Sequence, residues 1–260
     1  MLSITTDYLQ DTGDPSLYLK NIADAGFTHV HWCHQWNTDF LYSKWEIEQI
    51  QKWFSEYGLQ LLDTHGSAGK EKRWVSDQEY QRLAGVELVK NRIDMTSRLS
   101  GGVVIMHVPS DPDSVPIRKS LDEIQPFARE RGIRIAIENG NFPTIRKLLS
   151  EYDPSFLGHC YDSGHGNEDG DGLENLNPIK DRLISVHIND STGNDDPHIL
   201  PFMGTLDWDR FARTMAESSY TKCVSMEVLM GRSGFDDESL FLKSAFDAGT
   251  KLADMIDKYR

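Results

Sequence analysis

Ile133-Arg134-Ile135-Ala136-Ile137-Glu138-Asn139 is the stretch that decides the fold. It predicts a strand, with Ile133, Ile135 and Ile137 on one face and Arg134, Ala136 and Glu138 on the other. A carboxylate at the strand's last position, just before Asn139-Gly140, is badly placed for packing. It is well placed for a metal or a substrate at the mouth of a barrel. The design recurs. Leu183-Ile184-Ser185-Val186-His187 puts Ile184 and Val186 opposite Ser185 and His187. Cys223-Val224-Ser225-Met226-Glu227 puts Val224 and Met226 opposite Ser225 and Glu227. Leu157-Gly158-His159-Cys160-Tyr161-Asp162 keeps small residues two and four positions before its carboxylate. In each stretch a residue type that binds divalent metals closes the strand, and a small residue sits two positions behind it.

Working outward, further strands are expected at Leu2 to Thr5, Thr28 to Cys33, Leu59 to His65 and Val103 to Val108. Helices are expected between the strands. One spans Pro15 to Ala25. A second is capped by Ser43 with Glu46 three residues later and stops at Gly58. Ser76 and Glu79 have the same spacing and should cap a long helix from Asp77 to about Leu99, with Leu83, Val86, Val89 and Ile93 along one face. Ile117 to Glu130 reads as a helix that Pro126 should kink or split. Phe142 to Tyr152 follows. Gly164 to Gly172 reads as a polar loop before a weakly patterned helix near Leu173 to Lys180. Asp207 caps Trp208 to Ser218, and Ser239 to Tyr259 closes the chain as an amphipathic helix. Eight strand-then-helix units, with no linker between them, argue a single α/β domain over residues 1–260. The count favours a closed (β/α)8 TIM barrel over an open sheet, and no glycine-rich phosphate turn follows the first strand.

The chain has 260 residues, 38% of them hydrophobic, and a formal net charge of −14. That balance opposes a nucleic-acid partner and an anionic membrane surface, but not a small anionic substrate held by local donors. Cys33, Cys160 and Cys223 form no disulfide framework and no paired-cysteine metal motif, so reduced thiols and a cytoplasmic setting are expected. No signal peptide and no membrane-spanning run are apparent. Nothing sets the oligomeric state, so an oligomer stays open.

At the carboxyl ends of barrel strands, His65, His107, Glu138, Asp162, His187 and Glu227 would converge on one mouth. His165 lies three residues after Asp162, and Asp196-Pro197-His198 lies in the loop after the seventh strand. Hard carboxylate oxygens mixed with imidazole suit Mn²⁺, Mg²⁺, Co²⁺ or Zn²⁺. Three carboxylates near one point would also repel one another without a cation.

Taken together, Ile137-Glu138-Asn139, Tyr161-Asp162-Ser163-Gly164-His165, Val186-His187-Ile188-Asn189-Asp190 and Met226-Glu227-Val228 resemble the xylose isomerase-like TIM-barrel superfamily. That superfamily contains sugar isomerases and epimerases and the type IV apurinic endonucleases. His198-Ile199-Leu200-Pro201 through Gly204, Asp207 and Trp208 is similar to the family's Pro-Gly-x-Gly…Asp-Trp segment, with Phe202 where the family often has glycine. The resemblance implies one divalent metal held by Glu138, Asp162, His187 and Glu227. It implies that Glu138 and Glu227 also act catalytically, moving a proton beside a carbonyl through an enediolate. It puts His165 against a substrate oxygen, with His65, His107 and His198 lining the pocket of a carbohydrate-like small molecule. The endonuclease branch holds three zinc ions with nine ligands, and a residue stands here for each: His65, His107, Glu138, Asp162, His165, His187, Asp196, His198 and Glu227. A multinuclear zinc phosphodiesterase is therefore the alternative, and the acidic charge balance ranks it second. A metal-dependent dehydratase on the same barrel and a silent binding barrel are further readings.

Weaker features complete the inventory. Trp32, His34 and Trp36 read either as a wall for a sugar ring or as core. Gly231-Arg232-Ser233-Gly234 reads as an exposed loop or an anion cradle. His159 faces the helix layer by parity and reads as structural. Glu168-Asp169-Gly170-Asp171 reads as a solvated loop face or a lid.

Overall fold

The computed structural model describes residues 1–36, 40–66, 71–168, 170–193 and 198–260. Eight strands follow one another: β1 (Leu2–Thr5), β2 (His29–Trp32), β3 (Gln60–His65), β4 (Val103–Met106), β5 (Arg134–Glu138), β6 (Leu157–Asp162), β7 (Leu183–His187) and β8 (Val224–Met226). They form one sheet in the order β7-β6-β5-β4-β3-β2-β1-β8, with every pair parallel. Just past the named strands Ile188 bridges Met226, and Glu227 N donates to Ile188 O at 3.1 Å. This brings β7 beside β8 and leaves a nearly closed TIM barrel, as expected.

The helices pack outside: α1 (Ser16–Asp24), α2 (Lys44–Tyr57), α3 (Glu79–Arg98), α4 (Val115–Glu130), α5 (Phe142–Glu151), α6 (Ser163–Glu168), α7 (Gly172–Leu176), α8 (Trp208–Ala216) and α9 (Glu238–Asp257). Strand alternation splits the apolar residues into two cores. Ile135, Ile137, Val186 and Met226 join Leu148, Phe211 and Phe241 between sheet and helices. Val103, Ile105, Ala136, Cys160 and Ile184 form a separate cluster inside the barrel. The capping box at Ser43 and Glu46 is present, and α2 ends on Gly58 in the left-handed conformation. No described helix is long and apolar enough to cross a membrane.

Several local expectations are corrected. Ile184 points into the barrel instead of lying with Val186, because the β6–β7 register slips between His159 and Cys160 and leaves Ile184 as the extra residue. Gly158 makes the room: a Cβ there would fall 2.6 Å from the Ile184 side chain. Ser76 caps no helix. Its hydroxyl donates to Gln81 Oε1 at 2.8 Å, and α3 starts at Glu79. Leu83 is 44% exposed, while Arg82 is buried, paired to Glu79 and Glu123. Pro126 leaves α4 unbroken, since it sits on the solvent face where the carbonyl it deprives of a donor meets water. The first residues of the expected Gly164–Gly172 loop belong to α6, whose first turn is tied down by Asp162 Oδ1 accepting from His165 N at 2.8 Å. Asp169, in the acidic run, lies outside the described residues.

Candidate functional site

Four successive strands bring their last residues to one point. Glu138 ends β5, Asp162 ends β6, His187 ends β7, and Glu227 stands one residue past β8. Ligand atoms of these four lie within 4.8 Å of one another. His187 Nδ1 is 3.3 Å from Glu138 Oε1, 3.0 Å from Glu227 Oε2 and 3.9 Å from Asp162 Oδ2. All four residues are buried. Glu138 Oε2 and both ring nitrogens of His187 make no hydrogen bond. Two donors sharing a tetrahedral ion at about 2.1 Å lie about 3.4 Å apart, so this spacing and these orphaned atoms fit a divalent cation.

Four more imidazoles stand round the cluster. His65 Nε2 is 3.4 Å and His107 Nε2 3.6 Å from Glu138 Oε2. His165 Nδ1 is 3.4 Å from Glu138 Oε1 and 3.7 Å from Asp162 Oδ1. His198 Nδ1 is 3.6 Å from Glu227 Oε2. Two tautomers are fixed by carbonyls, which only accept: Nδ1–H of His65 donates to Gly66 O at 2.8 Å, and Nδ1–H of His198 to Glu227 O at 3.0 Å. Nε2 of His65 is thereby left to face Glu138. Asp196 lies outside the described residues.

The charges explain one another. Burial opposes ionisation of Glu138 and Glu227, yet the adjoining His187, with His165 and His65 on Glu138 and His31 on Glu227, holds both well below the usual carboxylate range. Burial likewise opposes the His187 cation, but Cys160, Glu227 and Glu138 hold it well above the ordinary histidine value. Asp162 goes the other way. Burial, reinforced by Glu138 and Glu227, pushes it up to about 6. The buried carboxylates thus draw on the adjoining imidazoles for compensating charge, a service a bound cation would take over.

Polar neighbours brace the ring. Asn189 Nδ2 donates to Asp162 Oδ2 at 2.9 Å, and Asn139 Nδ2 to the Asp162 carbonyl at 3.0 Å. Asp190 turns away from the mouth and clamps the following loop, accepting from Gly204 N and Trp208 Nε1, both at 2.9 Å. A side chain at 204 could not enter, since its Cβ would fall 2.2 Å from Ser191 O. Phe202 sits at φ +73°, a left-handed value that suits glycine, and is held by Trp208 and by Lys251 Nζ 3.6 Å from its ring centre.

The sugar-wall reading fails for Trp32 and His34. Parity sends Trp32 outward, where Nε1 donates to Tyr42 Oη at 3.0 Å and the ring packs on Phe54. His34 Nε2–H donates to Gly13 O at 2.6 Å. Trp36 packs on Trp45 and Trp53. His159 is structural, as parity indicated: Nδ1–H donates to Ile137 O at 2.8 Å, and burial drives its pKa down to about 4. In the Gly231–Gly234 turn, Ser233 Oγ donates to Leu229 O at 2.9 Å and accepts from Leu200 N at 3.2 Å, tying the two loops together.

Sequence reading missed His31 and Asp63, both fully buried inside the barrel. Their Nδ1 and Oδ1 are 2.7 Å apart, and His31 Nε2 faces Glu227 Oε1 at 3.7 Å. A signal was available: Asp63 shares the parity of His65, and His31 alternates with the outward Val30 and Trp32.

Comparison with known proteins agrees with this architecture. A relative from Sinorhizobium fredii, the uncharacterized protein y4fM, is 31% identical over 93% of this chain and 89% of its own length. The uncharacterized protein MJ1311 of Methanocaldococcus jannaschii is 28% identical over 58% of this chain and 59% of its own. Among solved structures, a D-tagatose 3-epimerase-like protein superposes with a TM-score of 0.80 at 18% identity, covering 99% of this chain and 97% of the other. A D-psicose 3-epimerase crystallised with D-fructose gives 0.79 at 17% identity over 98% and 99%. The 3-keto-D-glucoside 4-epimerase of E. coli gives 0.75 at 18% over 97% and 98%. The family model described as "Xylose isomerase-like TIM barrel" matches residues 19–245, the span that carries every strand from β2 to β8, so this chain belongs to that family.

Proposed function

We propose that the protein is a divalent-metal-dependent epimerase or isomerase acting on a sugar or a related hydroxy-carbonyl compound. The observation that carries the reading is the pair of glutamates, Glu138 and Glu227, on either side of His187 Nδ1 at 3.3 and 3.0 Å. Glu138, Asp162, His187 and Glu227 would hold the ion. When bound, it supplies positive charge that polarises a substrate carbonyl and favours loss of the neighbouring proton. The chain's own groups do the rest. One glutamate takes the proton from the carbon beside the carbonyl, and the other, protonated for that turnover, gives its proton to the opposite face and is left as the carboxylate, so the two exchange protonation states in each turnover. Flanking imidazoles favour the ionised form of each, which suits whichever one acts as the base. His65, His107, His165 and His198 would hydrogen-bond substrate hydroxyls, His65 and His198 accepting on Nε2, and orient the carbon chain. A cavity of about 440 Å³, lined by His65, His107, Arg73, Trp74 and Met106 among others, adjoins this rim and has room for a monosaccharide or a larger glycoside. The similarity in shape to sugar epimerases supports the same reading.

The test is exchange at carbon. Purified protein loaded with Mn²⁺ and given a panel of ketohexoses and keto-glycosides in D2O should incorporate deuterium beside the carbonyl, and E227Q should abolish net epimerisation. Unchanged incorporation and turnover in E227Q would remove the shuttle role.

One observation favours the second reading, a multi-zinc phosphodiesterase. His65 and His107 approach the oxygen of Glu138 that His165 and His187 do not, so donors stand on both sides of that carboxylate and would suit more than one ion. About three zinc ions per chain, with nicking of abasic DNA, would put that reading first. About one ion per chain and no nicking would support the epimerase.

A further inference from the structure

Directly beneath the four-residue cluster lies a buried polar chain that the proposed chemistry does not use. His31 from β2, Asp63 from β3 and Ser185 from β7 are all fully buried. Asp63 accepts on both oxygens, from His31 Nδ1–H at 2.7 Å and from the Ser185 hydroxyl. His31 Nε2 makes no hydrogen bond, and the acceptor it faces is Glu227 Oε1, 3.7 Å away. The other glutamate oxygen, Oε2, faces His187 Nδ1 at 3.0 Å.

The backbone is irregular where this chain is assembled. The β2–β3 register slips between Val30 and His31, so that Leu62 is skipped and His31 stands opposite Asp63. The β6–β7 register slips between His159 and Cys160, so that Ile184 is skipped and Ser185 stands opposite Cys160. These two irregularities within the barrel each re-aim one member of the chain, which is what bulges do beside functional sites. A buried carboxylate and imidazole are costly to assemble inside an apolar core unless each is paired.

We infer that His31 is a positioning residue for Glu227. Anchored by Asp63, its ring turns Nε2 toward Oε1 and so leaves Oε2 as the oxygen free to face the ion. Ser185 locks Asp63, and through it the imidazole plane. The inference rests on the metal-binding reading of the cluster but not on any particular substrate. It is the arrangement by which outer partners set the aim of metal ligands.

The test is ion binding, followed by titration calorimetry with Mn²⁺ and by the visible spectrum of the Co²⁺ form. H31L and D63N should each weaken binding by about 10- to 100-fold and shift the Co²⁺ bands. H31Q, whose amide can still donate toward Glu227, should recover most of the affinity. Circular dichroism checks folding, and S185A serves as a milder variant should H31L not fold. Wild-type affinity and an unaltered spectrum in H31L and D63N overturn the inference while leaving the metal centre standing. Loss of one nitrogen ligand in the X-ray absorption spectrum of H31L also overturns it, since His31 would then be a ligand. A wild-type protein that binds neither ion overturns both readings at once.

Discussion

Nδ1 of His187 lies 3.0 Å from Oε2 of Glu227, across the seam where β7 comes beside β8. On the proposed reading an ion at that seam ties together the two ends of the sheet. A ligand at a hundred times its dissociation constant adds about 2.7 kcal/mol of stability. In a chain of this size that raises Tm by roughly 5–10 °C. Removing metal with EDTA should therefore lower Tm by that amount, and Mn²⁺ should restore it. H187A should show a much smaller response. Thermal scans with and without chelator decide it, and an identical Tm in both would count against an ion at the seam.

His159 gives a second prediction, about acid stability. Folding drives its pKa from the ordinary 6.5 down to about 4 through burial. Between those values the unfolded chain binds a proton that the folded chain refuses. Stability contributed by the neutral ring is thus full above pH 6.5 and falls as pH drops toward 4, by about 3 kcal/mol in all. Replacing the ring by a group that does not titrate, as in H159Q, should flatten Tm against pH in that window relative to wild type. Parallel slopes for the two proteins would show that His159 is not the source.

Phe202 gives a third. Its φ of +73° costs a side chain about 1–2 kcal/mol, which packing on Trp208 and Lys251 offsets. F202A removes the packing and keeps the strain, whereas F202G removes both. F202G should therefore be more stable than F202A by about 1 kcal/mol, even though glycine ordinarily destabilises by loosening the unfolded chain. Urea midpoints of the two variants measure the difference. The reverse order would mean that the loop relaxes out of the left-handed conformation.

The barrel and its rim were legible because strand parity is a strict period of two. Glu138, Asp162, His187 and Glu227 each close a strand with a small residue behind, and that pattern survives without knowledge of any contact. Parity failed where the backbone is irregular. Alternation alone puts Ile184 on the wrong face, because nothing local announces a skipped residue; the slip is set by the partner strand and by the space at Gly158. His31 and Asp63 were missed for a related reason. Ala136, Cys160, Ser185 and Ser225 stand two places before the rim on four strands, whereas β3 puts a carboxylate there, paired with an imidazole from another strand. Ser76 misled because its spacing to Glu79 suits a capping box, while its hydroxyl is spent on Gln81.

On the proposed function Glu138, Asp162, His187 and Glu227 surround a cation. The direct measurement is a crystal structure of the Mn²⁺-soaked protein, with anomalous data collected at the manganese edge. A single strong peak within about 2.0–2.3 Å of one donor atom from each of the four is the expected result. Well-ordered side chains at those positions with no anomalous peak between them, or a peak only at surface carboxylates elsewhere, would contradict it.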